Sequence, residues 1–167
     1  MKKHALLIPV LNEGEKLRTQ LHRLRFYSSF VDIFIIDGGS SDQNYNEQFQ
    51  TENHITNILF TKGEAGLGKQ LALGMHYAIK RGYEGVITMD GNNKDNPEAI
   101  LRFIRHLKKE DDFIQGSRFL PLAYEKNTPL YRKIGIRLLH APIINFRYNS
   151  TLTDTTSGFR AYSKKFL

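Results

Sequence analysis

An aspartate and an asparagine, Asp90 and Asn92, follow directly after the short apolar run 85–88. The run is rich in β-branched residues and is followed by polar ones, so it predicts a buried strand. In an open α/β sheet, ligands bind outside the carboxyl ends of the strands. A carboxylate and an amide oxygen placed there suit a hard divalent cation that carries a diphosphate. The same residue types also form ordinary polar turns, and this segment alone leaves both interpretations open.

Two further predicted strands end in polar and acidic residues. The strand predicted over 5–10 leads into Asn12 and Glu13, and the strand predicted over 31–36 leads into Asp37. If these strands are neighbours of the one before Asp90, the side chains converge on one crevice. The crevice then offers acceptors for ribose hydroxyls and base N–H groups, and oxygen donors for a metal.

The elements that position these residues follow from the hydrophobic pattern. Apolar residues at helical spacing separate the strands, and Asn12 with Glu15 forms a capping-box-like helix start. The predicted strands are 5–10, 31–36, 55–60, 85–89 and 113–116, and the predicted helices begin near Asn12, Gly66 and Pro97. Strands that alternate with helices predict an α/β fold, a Rossmann-like doubly wound and mostly parallel sheet flanked by helices.

Length and composition exclude several classes of protein. The 167 residues fit one domain, which we expect to span 1–167. The absence of cysteine excludes disulfides and thiolate metal sites. No apolar run approaches the ~18 residues of a membrane span, and the N-terminal run is too short for a signal peptide. We therefore expect a cytoplasmic domain.

The net charge of +7 comes from the C-terminal part, since residues 1–99 sum to −1 and residues 100–167 to +8. This asymmetry indicates either a solvated basic face or an anionic partner: phosphates, a nucleic acid or an anionic membrane surface. Within it, the stretch 129–146 is predicted to be a basic amphipathic helix that Pro142 breaks or kinks. Such a stretch lies on a membrane surface or packs one face on a core, and both remain open.

One glycine-rich segment suggests a different nucleotide site from the crevice predicted at the strand ends. Residues 63–69 fit G-x-x-x-x-G-K, the phosphate-binding loop of P-loop NTPases, between a predicted strand and a predicted helix. However, Gln70 stands where that loop needs Ser or Thr to hold Mg²⁺. The loop also follows the third strand instead of the first. We therefore disfavour a P-loop NTPase, while Lys69 is either a phosphate ligand or a solvated lysine.

Six segments, in one order along nearly the whole chain, resemble the family 2 glycosyltransferases of GT-A fold. The resemblance is nearest to the dolichyl- or polyprenyl-phosphate sugar synthases. The matching segments are I-P-V-L-N-E (8–13), I-D-G-G-S-S-D (36–42), G-L-G-K (66–69) with Gly74 and Ala78, M-D-G-N (89–92) followed by Pro97 and Glu98, G-S-R-F (116–119) and D-T-T-S-G-F-R (154–160).

The resemblance implies an inverting transferase that takes a sugar from a UDP- or GDP-linked donor. The acceptor would be a polyprenyl phosphate or another membrane-proximal, lipid-linked or glycan acceptor. The implied partners are thus the nucleotide-diphosphate sugar and that acceptor, with no nucleic acid, and the basic C-terminal part suggests an anionic membrane surface in addition. The protein would be cytoplasmic or peripheral at the inner face of the membrane of the cell envelope.

The same resemblance implies a role for each matching residue. The implied catalytic residues are Asp90, Arg118 and Asp154. The implied nucleotide-binding residues are Pro9, Asn12, Glu13, Asp37, Gly66 and Lys69. The implied contacts to the diphosphate and the acceptor are made by Lys94, Arg132, Ser157 and Arg160. The implied ligands of the metal, Mg²⁺ or Mn²⁺, are Asp90 and Asn92. Asp154 is a general base or a structural acceptor, and a phosphate acceptor, already ionised near neutral pH, needs no base.

The chain departs from the family's pattern at the metal site. Asn92 replaces the second aspartate of D-x-D, and Lys94 replaces a glutamine. The site loses one negative charge and gains a positive one, so we expect cation binding to be weakened or dispensable. Asp95 offers compensation if the loop brings it round. The departure also leaves open a catalytically degenerate nucleotide-binding or scaffold domain. Family members usually continue beyond this point, which leaves open whether the native chain extends past Leu167.

Overall fold

The computed structural model describes residues 2–42, 45–63, 66–109, 111–119, 135, 138, 140–148 and 151–167. Its strands are β1 (His4–Val10), β2 (Asp32–Asp37), β3 (Ile55–Phe60), β4 (Gly85–Thr88), β5 (Phe113–Gln115) and β6 (Arg160–Ser163). Its helices are α1 (Gly14–Leu24), α2 (Glu47–Glu52), α3 (Leu67–Lys80), α4 (Ala99–Leu107) and α5 (Ala141–Tyr148), with one 3₁₀ turn at Tyr27–Ser29.

The strands form one sheet in the order β3-β2-β1-β4-β6-β5. The pairs β1–β2, β1–β4 and β2–β3 are parallel, whereas β6 is antiparallel to both β4 and β5. The predicted doubly wound, mostly parallel α/β sheet is therefore confirmed, and the strands before Asn12, Asp37 and Asp90 are neighbours. Strand β6 was not predicted, because it is only four residues long and begins with an arginine.

The core lies on both faces of the sheet, as the unbroken burial of β1 and β2 requires. Leu6 and Ile8 of β1 pack with α1 and α4 on one face, while Leu7 packs with α3 on the other. Helix α3 approaches the sheet closely at Gly74. A Cβ atom there would lie 2.9 Å from Leu7 Cδ1, so glycine permits the contact.

Two local features of the structure differ from the prediction. Helix α1 begins at Gly14 rather than Asn12, and Asn12 has a φ of 53°. Its side chain accepts a hydrogen bond from the Ser41 backbone N–H instead of capping the helix, so the predicted capping box is wrong. The short helix α2 was not predicted. Pro142 lies in the first turn of α5, and the described residues Leu138 and His140 before it are π-helical, so the predicted break or kink at this proline stays a prediction.

Half of the predicted helix over 129–146, including Arg132, lies outside the described residues. What the structure describes of it is α5 and three residues before that helix. Among the described helices, none has both the length and the apolar composition needed to cross a bilayer.

Candidate active site

Asp90 lies where three clefts meet at the carboxyl edge of the sheet. The Arg118 cleft, of about 60 Å³, is lined by residues that include Asn92, Lys94, Asp95, Arg118 and Ser157. The Glu13 cleft, of about 280 Å³, is lined by residues that include Pro9, Leu11, Glu13, Gly66 and Gln70. The Arg160 cleft, of about 180 Å³, is lined by residues that include Pro9, Leu71, Thr88 and Arg160. Asp90 lines all three, so they form one crevice.

Strand β4 and the segment before β6 hold Asp90 in place. The Met89 backbone N–H donates to the Leu7 carbonyl, and the Thr88 hydroxyl donates to the Gly158 carbonyl at 2.8 Å. A Cβ atom on Gly158 would lie 2.5 Å from Asp90 Oδ1. Only glycine at position 158 therefore leaves the Asp90 carboxylate in this position, which gives a physical reason for the S-G-F-R glycine.

Arg118 is held by Asp154 in a bidentate ion pair. Its Nε and Nη2 atoms lie 2.7 and 3.1 Å from the two Asp154 carboxylate oxygens, and Nη2 also donates to the Thr156 hydroxyl. Burial opposes ionisation of Asp154, but hydrogen bonds from Arg118 and Thr156 outweigh it and lower the pKa of Asp154. The carboxylate is fully buried and accepts five hydrogen bonds. This geometry favours the structural role over the general-base role.

The loop after Asp90 winds back on itself. Asn93 has a φ of 59°, its backbone N–H donates to Gln20 Oε1 at 2.8 Å, and Arg23 donates to its side-chain oxygen at 2.6 Å. In this loop, Asp95 lines the same cleft as Asp90. Burial and the Asp90 charge raise the pKa of Asp95 to about 6. Gln20 and Arg23 were not predicted as site residues, since nothing in the sequence links α1 to this loop.

Gln70 ties two strand ends together beneath the Glu13 cleft. Its side-chain nitrogen donates to the Val10 carbonyl at 2.7 Å and to the Ile36 carbonyl at 2.8 Å. Both partners are carbonyl oxygens, so the orientation of the amide is determined. The position that a P-loop would reserve for a magnesium-binding hydroxyl thus has a structural role. Lys69 is exposed and lines none of the three clefts.

Asp37 and Asn12 build the loops behind the crevice. Asp37 is buried, and its Oδ1 accepts from the Gly39 and Ser40 backbone N–H groups, both at 2.6 Å. Its Oδ2 is buried and has no hydrogen-bond partner among the residues that the structure describes. Burial and the nearby Asp37 carboxylate raise the pKa of Tyr45. Neither Asp37 nor Asn12 lines the three clefts, so a direct nucleotide contact by either stays a prediction.

The Arg160 guanidinium is turned toward its own loop. Its Nε donates to the Ser157 carbonyl at 2.9 Å and its Nη2 to the Thr155 carbonyl at 3.4 Å. The Ser157 hydroxyl accepts from the Phe159 backbone N–H. Both residues therefore brace the segment that carries Gly158 while still lining the crevice.

The structure brings most of the predicted site residues to the crevice. Those that line it are Pro9, Glu13, Gly66, Asp90, Asn92, Lys94, Arg118, Ser157 and Arg160. Those that do not are Asn12, Asp37, Lys69 and Asp154. Arg132 lies outside the described residues.

The donor set at Asp90 fits a divalent cation that is shared with a ligand. Across the described parts of the chain there is no group of three or more His, Cys, Asp or Glu side chains able to hold a metal. Mg²⁺ is commonly held by one or two carboxylates together with substrate phosphates rather than by protein ligands alone. The crevice offers the carboxylates of Asp90 and Asp95 and the amide of Asn92. A diphosphate would have to complete the coordination.

Comparison with known proteins gives one family and several relatives. The family model described as "Glycosyl transferase family 2" matches residues 5–167. The polyprenol monophosphomannose synthase of Mycolicibacterium smegmatis is 26% identical over 165 residues, which cover 97% of this chain and 62% of that protein. The undecaprenyl-phosphate mannosyltransferase of Micrococcus luteus is 29% identical over 158 residues, which cover 93% of this chain and 64% of that protein. This chain therefore spans less than two thirds of either relative.

A third relative names a different sugar. It is the UDP-N-acetylglucosamine–dolichyl-phosphate N-acetylglucosaminyltransferase of Methanococcus voltae, 27% identical over 178 residues that cover 97% of this chain and 70% of that protein. Among solved structures, glucosyl-3-phosphoglycerate synthase from Mycobacterium tuberculosis, in complex with Mn²⁺, UDP and glucosyl-3-phosphoglycerate, matches with a TM-score of 0.68 at 13% identity. That match covers 98% of this chain and 57% of the other. It confirms the predicted GT-A fold.

Proposed function

The chain belongs to glycosyl transferase family 2, and from that membership we propose that it transfers a sugar from a nucleotide-diphosphate donor to a polyprenyl phosphate. The observation that carries the proposal is the meeting of three clefts at Asp90, with acidic and amide acceptors on one side and Arg118 on the other. The relatives that act on polyprenol, undecaprenyl phosphate and dolichyl phosphate support a lipid-phosphate acceptor. The alternative is another membrane-proximal acceptor, lipid-linked or a glycan, in place of the polyprenyl phosphate.

The charges of the crevice orient the donor. The polar side chains of the Glu13 cleft include Glu13, Gln70 and Asp90, and both amide hydrogens of Gln70 are already donated to carbonyls. The carboxylates of Glu13 and Asp90 give this cleft hydrogen-bond acceptors, which suit the hydroxyls and N–H groups of a nucleoside. Arg118 and Lys94 line the adjoining cleft, where they suit the diphosphate.

The reaction that fits this arrangement is a single displacement with inversion. An acceptor oxygen forms a bond to the anomeric carbon while the bond from that carbon to the diphosphate oxygen breaks. Arg118 stabilises the negative charge that develops on the leaving diphosphate, and Asp154 keeps its guanidinium oriented. A divalent cation at Asp90 would supply further neutralisation of that charge. An ionised phosphate acceptor needs no base, which agrees with the fully hydrogen-bonded state of Asp154.

Contact with an anionic membrane surface would bring the crevice to a lipid-borne acceptor. Helix α5 exposes 64% of Ile143 and 94% of Phe146. Asn145 ties the helix to Leu152 through two hydrogen bonds of 2.8 Å, and His140 contacts Thr155 next to Asp154. The exposed apolar side chains thus lie on a helix joined to the segment that precedes Ser157 and Gly158 of the Arg118 cleft, in the C-terminal part of the chain, which carries the excess positive charge. We propose that the domain acts peripherally at the cytoplasmic face.

The replacement of an aspartate by Asn92 supports a second candidate, a nucleotide-binding domain of the same fold without turnover. A direct assay separates the two. The protein is incubated with UDP- and GDP-linked sugars, a polyprenyl phosphate and Mg²⁺ or Mn²⁺, and the lipid product is measured by mass spectrometry. Thermal shifts with UDP, GDP and ATP run in parallel. Lipid-linked sugar supports the proposal. Stabilisation by UDP or GDP without any product supports the second candidate, and stabilisation by ATP alone contradicts both.

A further inference from the structure

The second carboxylate of the crevice comes from Asp95, five residues after Asp90. The turn between them is anchored on α1, because Gln20 accepts the Asn93 backbone N–H and Arg23 donates to the Asn93 side chain. Asp95 lines the Arg118 cleft together with Asp90. The chain therefore places two carboxylates in one cleft, although its D-x-D segment contains only one.

Asn92 has a competing local role. Its side-chain oxygen accepts the backbone N–H of Lys94 at 3.2 Å and closes a turn within the loop. An amide oxygen is neutral and is a weaker ligand for a hard cation than a carboxylate. The hydrogen bond to Lys94 further reduces its availability. Position 92 is therefore the poorer of the two candidates for a second ligand.

The charge balance of the cleft also indicates a cation beside these carboxylates. Arg118 is matched by Asp154 in the bidentate pair. The other charged side chains that line the Arg118 cleft are the carboxylates of Asp90 and Asp95 and the ammonium of Lys94, which is exposed. The two negative charges are therefore balanced by only one positive charge in this lining. Two partly buried carboxylates beside each other repel unless a cation or a proton lies between them.

We propose that Asp90 and Asp95, rather than Asp90 and Asn92, are the protein ligands of the divalent cation in this crevice. The inference rests on the proposed function, because a nucleoside diphosphate would supply the remaining ligands. Asp95 thereby restores the carboxylate that is absent at position 92, and the chain keeps a metal site with an altered ligand spacing. The cation is Mg²⁺ or Mn²⁺, since the ligands are oxygen atoms and a diphosphate completes the coordination.

The test is Mn²⁺ binding, measured by electron paramagnetic resonance of the free ion, without nucleotide and with UDP or GDP. Asp95→Asn removes the charge, keeps the side-chain shape and relieves the repulsion with Asp90, so it should fold, which circular dichroism checks. Asn92→Ala removes the competing ligand. Asp111→Asn is the matched control, because this exposed carboxylate precedes β5 at the opposite edge of the sheet.

We expect Asp95→Asn to weaken Mn²⁺ binding at least tenfold, Asn92→Ala to change it less than threefold and Asp111→Asn to leave it unchanged. A tenfold loss in Asn92→Ala with no loss in Asp95→Asn overturns the inference, and so does a parent protein that binds no Mn²⁺ in any condition. The nucleotide is titrated separately in metal-free buffer. Binding of UDP or GDP without an effect of Asp95→Asn on Mn²⁺ refutes the cation ligands alone, whereas failure to bind either nucleotide refutes the proposed function.

Discussion

The guanidinium of Arg118 covers both oxygens of the buried Asp154 carboxylate, with Nε–Oδ2 and Nη2–Oδ1 distances of 2.7 and 3.1 Å. The two residues are 36 positions apart in the chain, and the pair joins the segment after β5 to the segment before β6. The ion pair therefore stabilises the fold next to the crevice and holds the positively charged guanidinium of Arg118 at the crevice wall.

Replacing Asp154 by Asn should lower the free energy of unfolding by about 2 kcal/mol, less than a fully buried pair because Arg118 is partly exposed. The Asp154 pKa is lowered in the folded protein, so its contribution is present above the ordinary aspartate pKa, near 4, and is lost as the pH falls through the lowered value. Urea titrations at pH 7 and at pH 3 measure this. The loss of unfolding free energy in Asp154→Asn, relative to the parent protein, should be smaller at pH 3 than at pH 7. An equal loss at both pH values would contradict the ion-pair explanation.

Replacing Asp90 by Ala should abolish transfer and leave the fold intact, because Asp90 lies at a strand end facing the crevice. Gly158→Ala is a second variant of the same site. Its new Cβ atom would meet Asp90 Oδ1, so the carboxylate has to move, and we expect at least a tenfold loss of kcat/KM. Product formation and circular dichroism are measured together. Full activity in Asp90→Ala would show that this carboxylate has no part in the reaction.

The neighbours Lys69 and Gln70 separate the two interpretations of the glycine-rich segment. Gln70→Ala leaves the Ile36 carbonyl without its side-chain donor and should cost about 1–3 kcal/mol of stability. Lys69→Ala removes an exposed side chain and should change stability by less than about 0.5 kcal/mol. Chemical denaturation and nucleotide titration test both variants. Loss of nucleotide binding in Lys69→Ala, with an unaffected Gln70→Ala, would favour a phosphate-binding loop.

Helix α5 should bind anionic vesicles through its exposed apolar side chains. Phe146→Ser with Ile143→Ser should lose at least half of the binding at low salt, since burial of a large apolar side chain contributes about 1.5–3 kcal/mol. High salt should weaken binding of the parent, because the basic residues contribute at most about 1 kcal/mol each and are screened. Co-sedimentation with anionic and neutral vesicles measures this.

Phe26→Ser is the control for this experiment. Phe26 is an exposed phenylalanine that follows the end of α1, at the edge of the sheet away from the crevice. It should bind vesicles like the parent protein. Equal losses in Phe26→Ser and in the α5 variant would mean that α5 has no special role at the membrane.

The sequence by itself determined the central sheet and its functional edge. Buried β-branched runs alternate with helical patterns, so β1, β2 and β4 and the polar residues after them could be identified from local periodicity. Asp90 and Glu13 line the crevice as predicted, because residues that follow parallel strands meet at one edge wherever those strands are neighbours. The family motifs were likewise readable, since each is a run of adjacent residues.

Only the tertiary structure decided which polar side chains face the crevice and which hold it together. Asp154, Asp37 and Asn12 are motif residues, yet each has a side-chain oxygen that is hydrogen-bonded to a distant segment or to a loop backbone group. Gln70 contacts carbonyls 60 and 34 residues away, and Gln20 contacts a loop 73 residues away. Periodicity and motifs record what neighbours in the chain do, whereas the partner of a hydrogen-bonding side chain depends on distant segments that only the packed fold brings together.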